Sequence, residues 1–378
     1  MSDSIESAST DKSGRTVDDG KGRVFPCDKC GADLEFHIGQ QDLKCPFCGH
    51  EKLIELAADA DIAEQDFHAI LEKVREWRQQ SAGDTQSGQS EVRCGCGANV
   101  VFVGSLTSSE CPYCGVPIQR DKIHDSPQRV PVHGILSFQV EKEKARLNLS
   151  AWVRSRWFAP NEFLKRGVEG RFNGVYLPFW TYDSMTFSRY SGDRGDHYYV
   201  TVTVNNQTRQ ERRTRWTSVS GSHQRFFDDV LVLATEGMSR DLMDSLEPWP
   251  LESIQPFTQQ LLAGFLARTY EVELDEGFPI AKKRIDAGIE SDVRGLIGGD
   301  EQRIDEIKTR YDALTFKHLL LPVWLLAYRY HDKTFQVLVN AVTGEVQGER
   351  PYSVWKITLT VLFVLAVGGA IAYFKSHG

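Results

Sequence analysis

VYLPFWTYD, residues 175–183, and LLLPVWLLAY, residues 319–328, set the frame for the chain. Both carry Leu-Pro, then an aromatic or aliphatic residue, then Trp, and both run into a Tyr-bearing apolar stretch. Runs this rich in aromatic and aliphatic residues read as buried strands, and their echo points to two related sheet units. The competing reading is coincidence between two buried aromatic strands. Since proline cannot donate to a ladder, Pro178 and Pro322 are expected at strand starts or sheet edges.

Further strands are expected nearby. HYYVTVTV (197–204) alternates Tyr198, Val200, Val202 and Val204 with Tyr199, Thr201 and Thr203, and the chain returns through NNQT into RQERRTRWTSVSG. That is a hairpin pattern. A second hairpin is expected where YRY (328–330) turns through HDK into TFQVLVN. Helical spacing is read in 141–158, in FTQQLLAGFLARTYEVEL from 257 and in EQRIDEIKTRYDAL from 301. Residues 121–350 are therefore expected to form a mixed α+β domain.

Upstream lie all eight cysteines, in four close pairs with none left over. Cys27, Cys30, Cys45 and Cys48 form C-x2-C-x14-C-x2-C, the spacing by which two knuckles offer four thiolates to a tetrahedral zinc ion. Gly31 and Gly49 each follow the second cysteine of a pair, where the knuckle backbone needs positive φ. Four thiolates complete the shell, so the site is structural and closed to catalysis, and His37, His50 and His68 read as solvent-facing. Cys94, Cys96, Cys111 and Cys114 repeat the module with its spacer intact and its first knuckle one residue shorter. Zinc is expected there too, with altered hold, giving two ions per chain.

The remaining boundaries follow from composition. Residues 1–23 read as disordered, 24–54 as zinc ribbon 1, 55–80 as an amphipathic helix, 81–91 as a flexible linker and 92–120 as zinc ribbon 2. Residues 357–374, ITLTVLFVLAVGGAIAYF, carry no charge and are bracketed by Lys356 and Lys375, which reads as a C-terminal transmembrane helix. With no apolar signal segment at the N-terminus and thiolates that need reduction, the bulk of the chain is expected in the cytoplasm, tail-anchored by a single pass.

A formal net charge of -8 argues against coating nucleic acid by bulk electrostatics. The basic patch Arg209, Arg212, Arg213 and Arg215 is the local exception, a candidate for phosphates of nucleic acid or of lipid headgroups, against the plainer reading of a charged edge that discourages aggregation. No G-x-x-x-x-G-K-[ST], H-E-x-x-H, G-x-S-x-G or G-x-G-x-x-G run occurs, so nothing argues for an enzyme.

The paired knuckles, GVYLPFWTYD (174–183), QRFFDDVLV (224–232), PFTQQLLAGFLARTYEV (256–272), LPVWLLAYRY (321–330), NAVTGEVQGERP (340–351) and the terminal apolar run together resemble a bacterial family of membrane-anchored zinc-ribbon proteins. That family is often labelled transcription-factor-IIB-type zinc ribbon or, loosely, primosomal helicase-like. The resemblance implies no established reaction and a membrane-associated adaptor role. The expected function is a zinc-binding adaptor that recruits a protein partner at the membrane, the alternative a membrane-tethered nucleic-acid-binding protein without helicase activity.

Overall fold

The two Leu-Pro segments pair with each other, antiparallel, with Leu177 opposite Leu321. The computed structural model describes residues 25–54, 62–81, 89–93, 99–103, 108–110, 117–119, 130–159, 172–204, 207–235, 238–268, 270–330, 333–350 and 352–377. The N-terminal part contains β1 (Glu35–His37), β2 (Asp42–Lys44), β3 (Glu51–Lys52), β4 (Gln65–Asp66), α1 (Phe67–Ser81), β5 (Gln89–Arg93), β6 (Asn99–Val103), β7 (Ser108–Glu110) and β8 (Pro117–Gln119). The main body contains β9 (Gly134–Ile135), α2 (Lys142–Arg154), β10 (Phe172–Val204), β11 (Gln207–Leu233), α3 (Arg240–Asp244), β12 (Gln255–Pro256), β13 (Leu266–Ala267), α4 (Leu274–Ile297), β14 (Glu301–Tyr330), β15 (Lys333–Asn340) and β16 (Val346–Gly348). Helix α5 (Val354–His377) follows.

One nine-stranded sheet dominates, with the path β11-β10-β14-β15-β16. Its central strands are long, 33 residues in β10, 27 in β11 and 30 in β14. At about 3.3 Å per residue β10 traces roughly 110 Å of chain.

The sheet is built twice over. Strand β13 lies parallel to β10 at Val175–Tyr176, and β9 lies parallel to β14 at Leu319–Leu320. Arg268 N donates to Tyr176 O, as Leu136 N donates to Leu320 O. Ala234 N donates to Pro178 O at 2.9 Å, as Ala341 N donates to Pro322 O at 3.2 Å. Val272 N then donates to Ala234 O, as Val140 N donates to Ala341 O. Trp180 Nε1 donates to Val272 O and Trp324 Nε1 to Val140 O, at 2.9 and 2.8 Å. Helices α4 and α2 start two residues after those carbonyls. The β9-α2-β10-β11 and β13-α4-β14-β15 units are thus related by an approximate two-fold through Leu177 and Leu321. They are intertwined, each lending its short first strand to the other's long one.

This arrangement explains the prolines, which sit in interior strands rather than at the starts or edges expected for them. Pro178 lies between the end of the β13 pairing at Tyr176 and the first β11 pair at Phe179. Pro322 lies between β9 at Leu320 and the first β15 pair at Val323. A residue's N–H and C=O point to the same side of a strand, so each missing N–H faces a junction between two neighbours, where little is lost.

Several expectations need correction. The main body is mostly β-sheet with few helices, not a balanced α+β domain. EQRIDEIKTRYDAL is part of β14, not a helix. Its apolar residues Ile304, Ile307, Tyr311 and Leu314 follow helical spacing because ladder irregularities fall between Ser191 and Gly192 and between Asp183 and Met185, and each resets the alternation. Ile304, Ile307 and Tyr311 therefore all pack on α4 despite their uneven spacing. In FTQQLLAGFLARTYEVEL a 3-10 turn (Gln259–Leu262) gives way to Gly264 at φ +84 and then to β13, and the helix begins only at Leu274. Leu261, Leu262, Ala263 and Phe265 are all buried, so the run has no solvent face to support a surface helix.

The C-terminal transmembrane helix is the largest correction. Among the described residues no helix is long and apolar enough to cross a membrane. Lys356, in the first turn of α5, is engaged by the protein: Nζ donates to Ala159 O at 2.8 Å and lies over the Trp157 ring. The single-pass, tail-anchored placement, with the bulk of the chain on the cytoplasmic side of a membrane, falls with that helix.

Candidate metal centre

The first cysteine module folds as two matching knuckles. Cys27 N donates to Ala32 O and Gly31 N to Cys27 O; Cys45 N donates to His50 O and Gly49 N to Cys45 O. Gly31 and Gly49 adopt φ +73 and +71, the positive region their positions called for. The pairing of β1 with β2 and of β2 with β3 brings the knuckles together.

Their four sulfurs lie within 4.8 Å of one another. Cys27 Sγ is 3.5 Å from Cys48 Sγ, and Cys30 Sγ is 3.4 Å from Cys45 Sγ. Four thiolates about 2.3 Å from a tetrahedral zinc sit about 3.8 Å apart, so little movement is needed to close on an ion. The cysteines are not disulfide-bonded. Backbone amides favour the thiolate at Cys45 and Cys27, whereas hydrogen bonds with the neighbouring thiols push Cys30 up to about 12 and raise Cys48. The Cys48 N–H, then that of Phe47, brings the Cys45 thiol down to about 7 against the effect of burial. Burial pushes Cys27 up, but the amides of Cys30 and Lys29 outweigh it, and its pKa falls. The cluster can hold a metal ion, and four protein ligands would leave no open position for substrate. His37 and His50 stay outside it; His37 Nδ1 approaches Asp42 instead.

The module is seated in the main body. Cys27, Leu34, Phe36, Leu43 and Cys45 share one buried cluster with Phe138, Tyr176, Phe265 and Trp324. Phe36 N donates to Ala263 O, and Gln41 Nε2 donates to Phe138 O. Cys30 and Cys48 face outward, and Phe47, between Cys45 and Cys48, is 82% exposed.

Cys94, Cys96, Cys111 and Cys114 lie outside the described residues, as do residues 1–23. The strands around them form a β5–β6 ladder and a β7–β8 ladder. Strands β6, β7 and β8 stand, relative to these cysteines, where β1, β2 and β3 stand in the first module. A second four-thiolate site is not found among the described residues, where the other ligand group is acidic: Glu64, Asp183 and Asp229.

No motif announced that group, whose members come from three distant segments. Lys317 fills its centre, with Nζ 2.5 Å from Glu64 Oε1 and 2.8 Å from Asp229 Oδ1. Asp183 accepts from Asp229 N and Thr315 Oγ1. Burial, then the hydrogen bond with Glu64, pushes its carboxyl up to about 6. The lysine offsets part of the node's negative charge and ties Glu64, in the segment before α1, to the sheet.

The four arginines lie on β11 and are exposed. The register puts Arg209 opposite Val202, Arg213 opposite Tyr198 and Arg215 opposite Asp196, so these three share a face, while Arg212, opposite Tyr199, is on the other. Arg215 lies over the Tyr198 ring at 5.3 Å.

Among proteins of known sequence, the chain is 26% identical over 346 residues to a Bacillus subtilis (strain 168) protein described as uncharacterized protein YdjG, covering 88% of this chain and 91% of that one. The likeness therefore extends well beyond the cysteine modules. No family model matches the chain. No solved structure matches it.

Proposed function

We propose that the chain is a non-enzymatic zinc-ribbon adaptor whose first ribbon presents its outer knuckle to a protein partner. The observation that carries this reading is the four-thiolate cluster: its inner half is built into the core, while Phe47 stands out at the tip. Four protein ligands suit a structural ion rather than a catalytic one. An aromatic side chain held outward by a rigid, metal-stapled loop is the kind of anchor that protein interfaces use. Leu53, 81% exposed just after β3, adds apolar surface to the same module.

The test is a zinc count on the full chain beside partner capture with Phe47→Ser. The substitution leaves the zinc count unchanged and reduces capture of specific partners. Equal capture by both forms overturns the reading. Two zinc ions per chain would extend it to the second module, and one would confine it to the first.

The exposed arginines of β11 favour a second reading, contact with nucleic acid. That binding would weaken steeply with salt and lose slope when Arg209, Arg213 and Arg215 are replaced. No binding at low salt removes it.

A further inference from the structure

The end of the β10–β11 hairpin outruns the rest of the sheet. The last pair between β10 and β14 is Gly195 with Glu301, whereas β10 and β11 stay paired to Val204 and Gln207. From Asp196 to Val204, then, one edge of β10 has no neighbouring strand among the described residues, and helix α4 has already ended at Ile297. A two-stranded hairpin without cover is marginal in water.

The other long edges carry charges that discourage pairing. The outer edge of the hairpin is RQERRTR on β11, and the open edge of β14 is EQRIDEIKTR. Beyond His197, whose N–H donates to Asp300 Oδ2 at 2.7 Å, the free edge of β10 is YYVTVT, with no acidic, lysine, arginine or proline residue up to Thr203 and no ladder irregularity there. Tyr199 is 65% exposed within it.

We infer that this edge is a self-association site, at which β10 of one chain pairs antiparallel with β10 of a second copy. The midpoint of the free edge is Val200, and a two-fold at Val200 uses the whole edge. It sets Tyr198 opposite Val202 and Tyr199 opposite Thr201, the aromatic with β-branched pairing that stabilises antiparallel ladders. The resulting order is β11-β10-β10-β11. It turns two marginal hairpins into a four-stranded sheet and keeps the two arginine strands outermost, roughly 14 Å apart and beyond a physiological Debye length. A second copy thus satisfies the edge without setting like charges together.

The experiment uses the full chain, with sedimentation velocity over a hundredfold range of concentration and hydrogen exchange read at residues 197–203. The chain dimerises as concentration rises, and the amides of 197–203 gain protection with it. Val200→Lys with Thr201→Lys, which lie opposite Glu211 and Gln210 within the hairpin, sets like charges across the two-fold and weakens the dimer at least about tenfold, with the unfolding transition of the monomer unchanged. Arg212→Ala leaves the dimer intact. A chain monomeric throughout the range overturns the inference, as does a dimer that survives the lysine substitutions with 197–203 unprotected. Protection of 197–203 only when a different protein is added assigns the edge to that protein and likewise overturns it.

Discussion

Trp324 and Trp180 occupy equivalent places in the two halves of the sheet, each donating to the carbonyl before a helix, yet their surroundings are closed by different means. Around Trp324 the cluster is completed by Ala145, Leu149 and Val153 of α2 and by the first cysteine module, whose Phe36 packs on Phe265 beside Trp324. Around Trp180 it is completed by helices, with Phe67 and Val74 of α1 and Leu274 and Ala281 of α4 packed with Tyr270 and Phe316. One wiring diagram therefore tolerates two kinds of lid. A short β-module with little apolar surface serves as a lid only if metal ligation holds it together, whereas an amphipathic helix needs none.

On the proposed zinc reading of the first module, the most severe way to break the symmetry is to remove the ion. Ligation of structural zinc by small domains is worth on the order of 10 kcal/mol, so chelation should release the first module and loosen the Trp324 side first. Hydrogen exchange checks this: Phe36, Ala263 and the backbone around Trp324 lose protection, while Tyr270 to Leu274 keep theirs. Equal loosening of both sides would mean that the two lids are not independent.

A milder probe compares the tryptophans directly. Trp180→Ala and Trp324→Ala each cost about 3–5 kcal/mol in denaturant unfolding, because each removes a large buried ring and the hydrogen bond of its indole N–H. With metal bound the two costs are similar. Without it the cost of Trp324→Ala shrinks, since the cavity opens into a cluster that has already lost part of its wall, and the cost of Trp180→Ala does not change.

The smallest expected effect sharpens the contrast through pH. Asp183 is raised in the folded chain to about 6. Its carboxyl binds a proton more tightly folded than unfolded, so stability falls as pH rises from about 4 to about 6. The thiolate module behaves in the opposite sense, because acid protonates its ligands and releases the ion. Asp183→Asn should abolish the fall toward pH 6 and leave the acid-induced loss at the cysteine module in place, as read from unfolding midpoints across that range.

How much of this was legible depends on the range over which each feature is decided. The knuckles could be read because cysteine spacing and the glycines after them are local chemistry, and Gly31 and Gly49 adopt the positive φ their positions implied. The echo between VYLPFW and LLLPVW was legible as similarity; that the two segments face each other across a two-fold, with their prolines at strand junctions, was not. The stretch from Glu301 misled because ladder irregularities mimic helical spacing. The terminal apolar run was read as a membrane span, and among the described residues no helix is long and apolar enough to be one.

By itself, then, the sequence determined the ligand set of the first module, the two hairpins and the presence of two related units, since residue type and spacing act within a few turns of chain. Only the tertiary structure decided that the units interlock, that the cysteine module closes one side of the core, that Lys317 gathers Glu64 and Asp229 from distant segments, and that β10 runs past its neighbours. Those features depend on which strand ends beside which, a long-range outcome that no local stretch encodes.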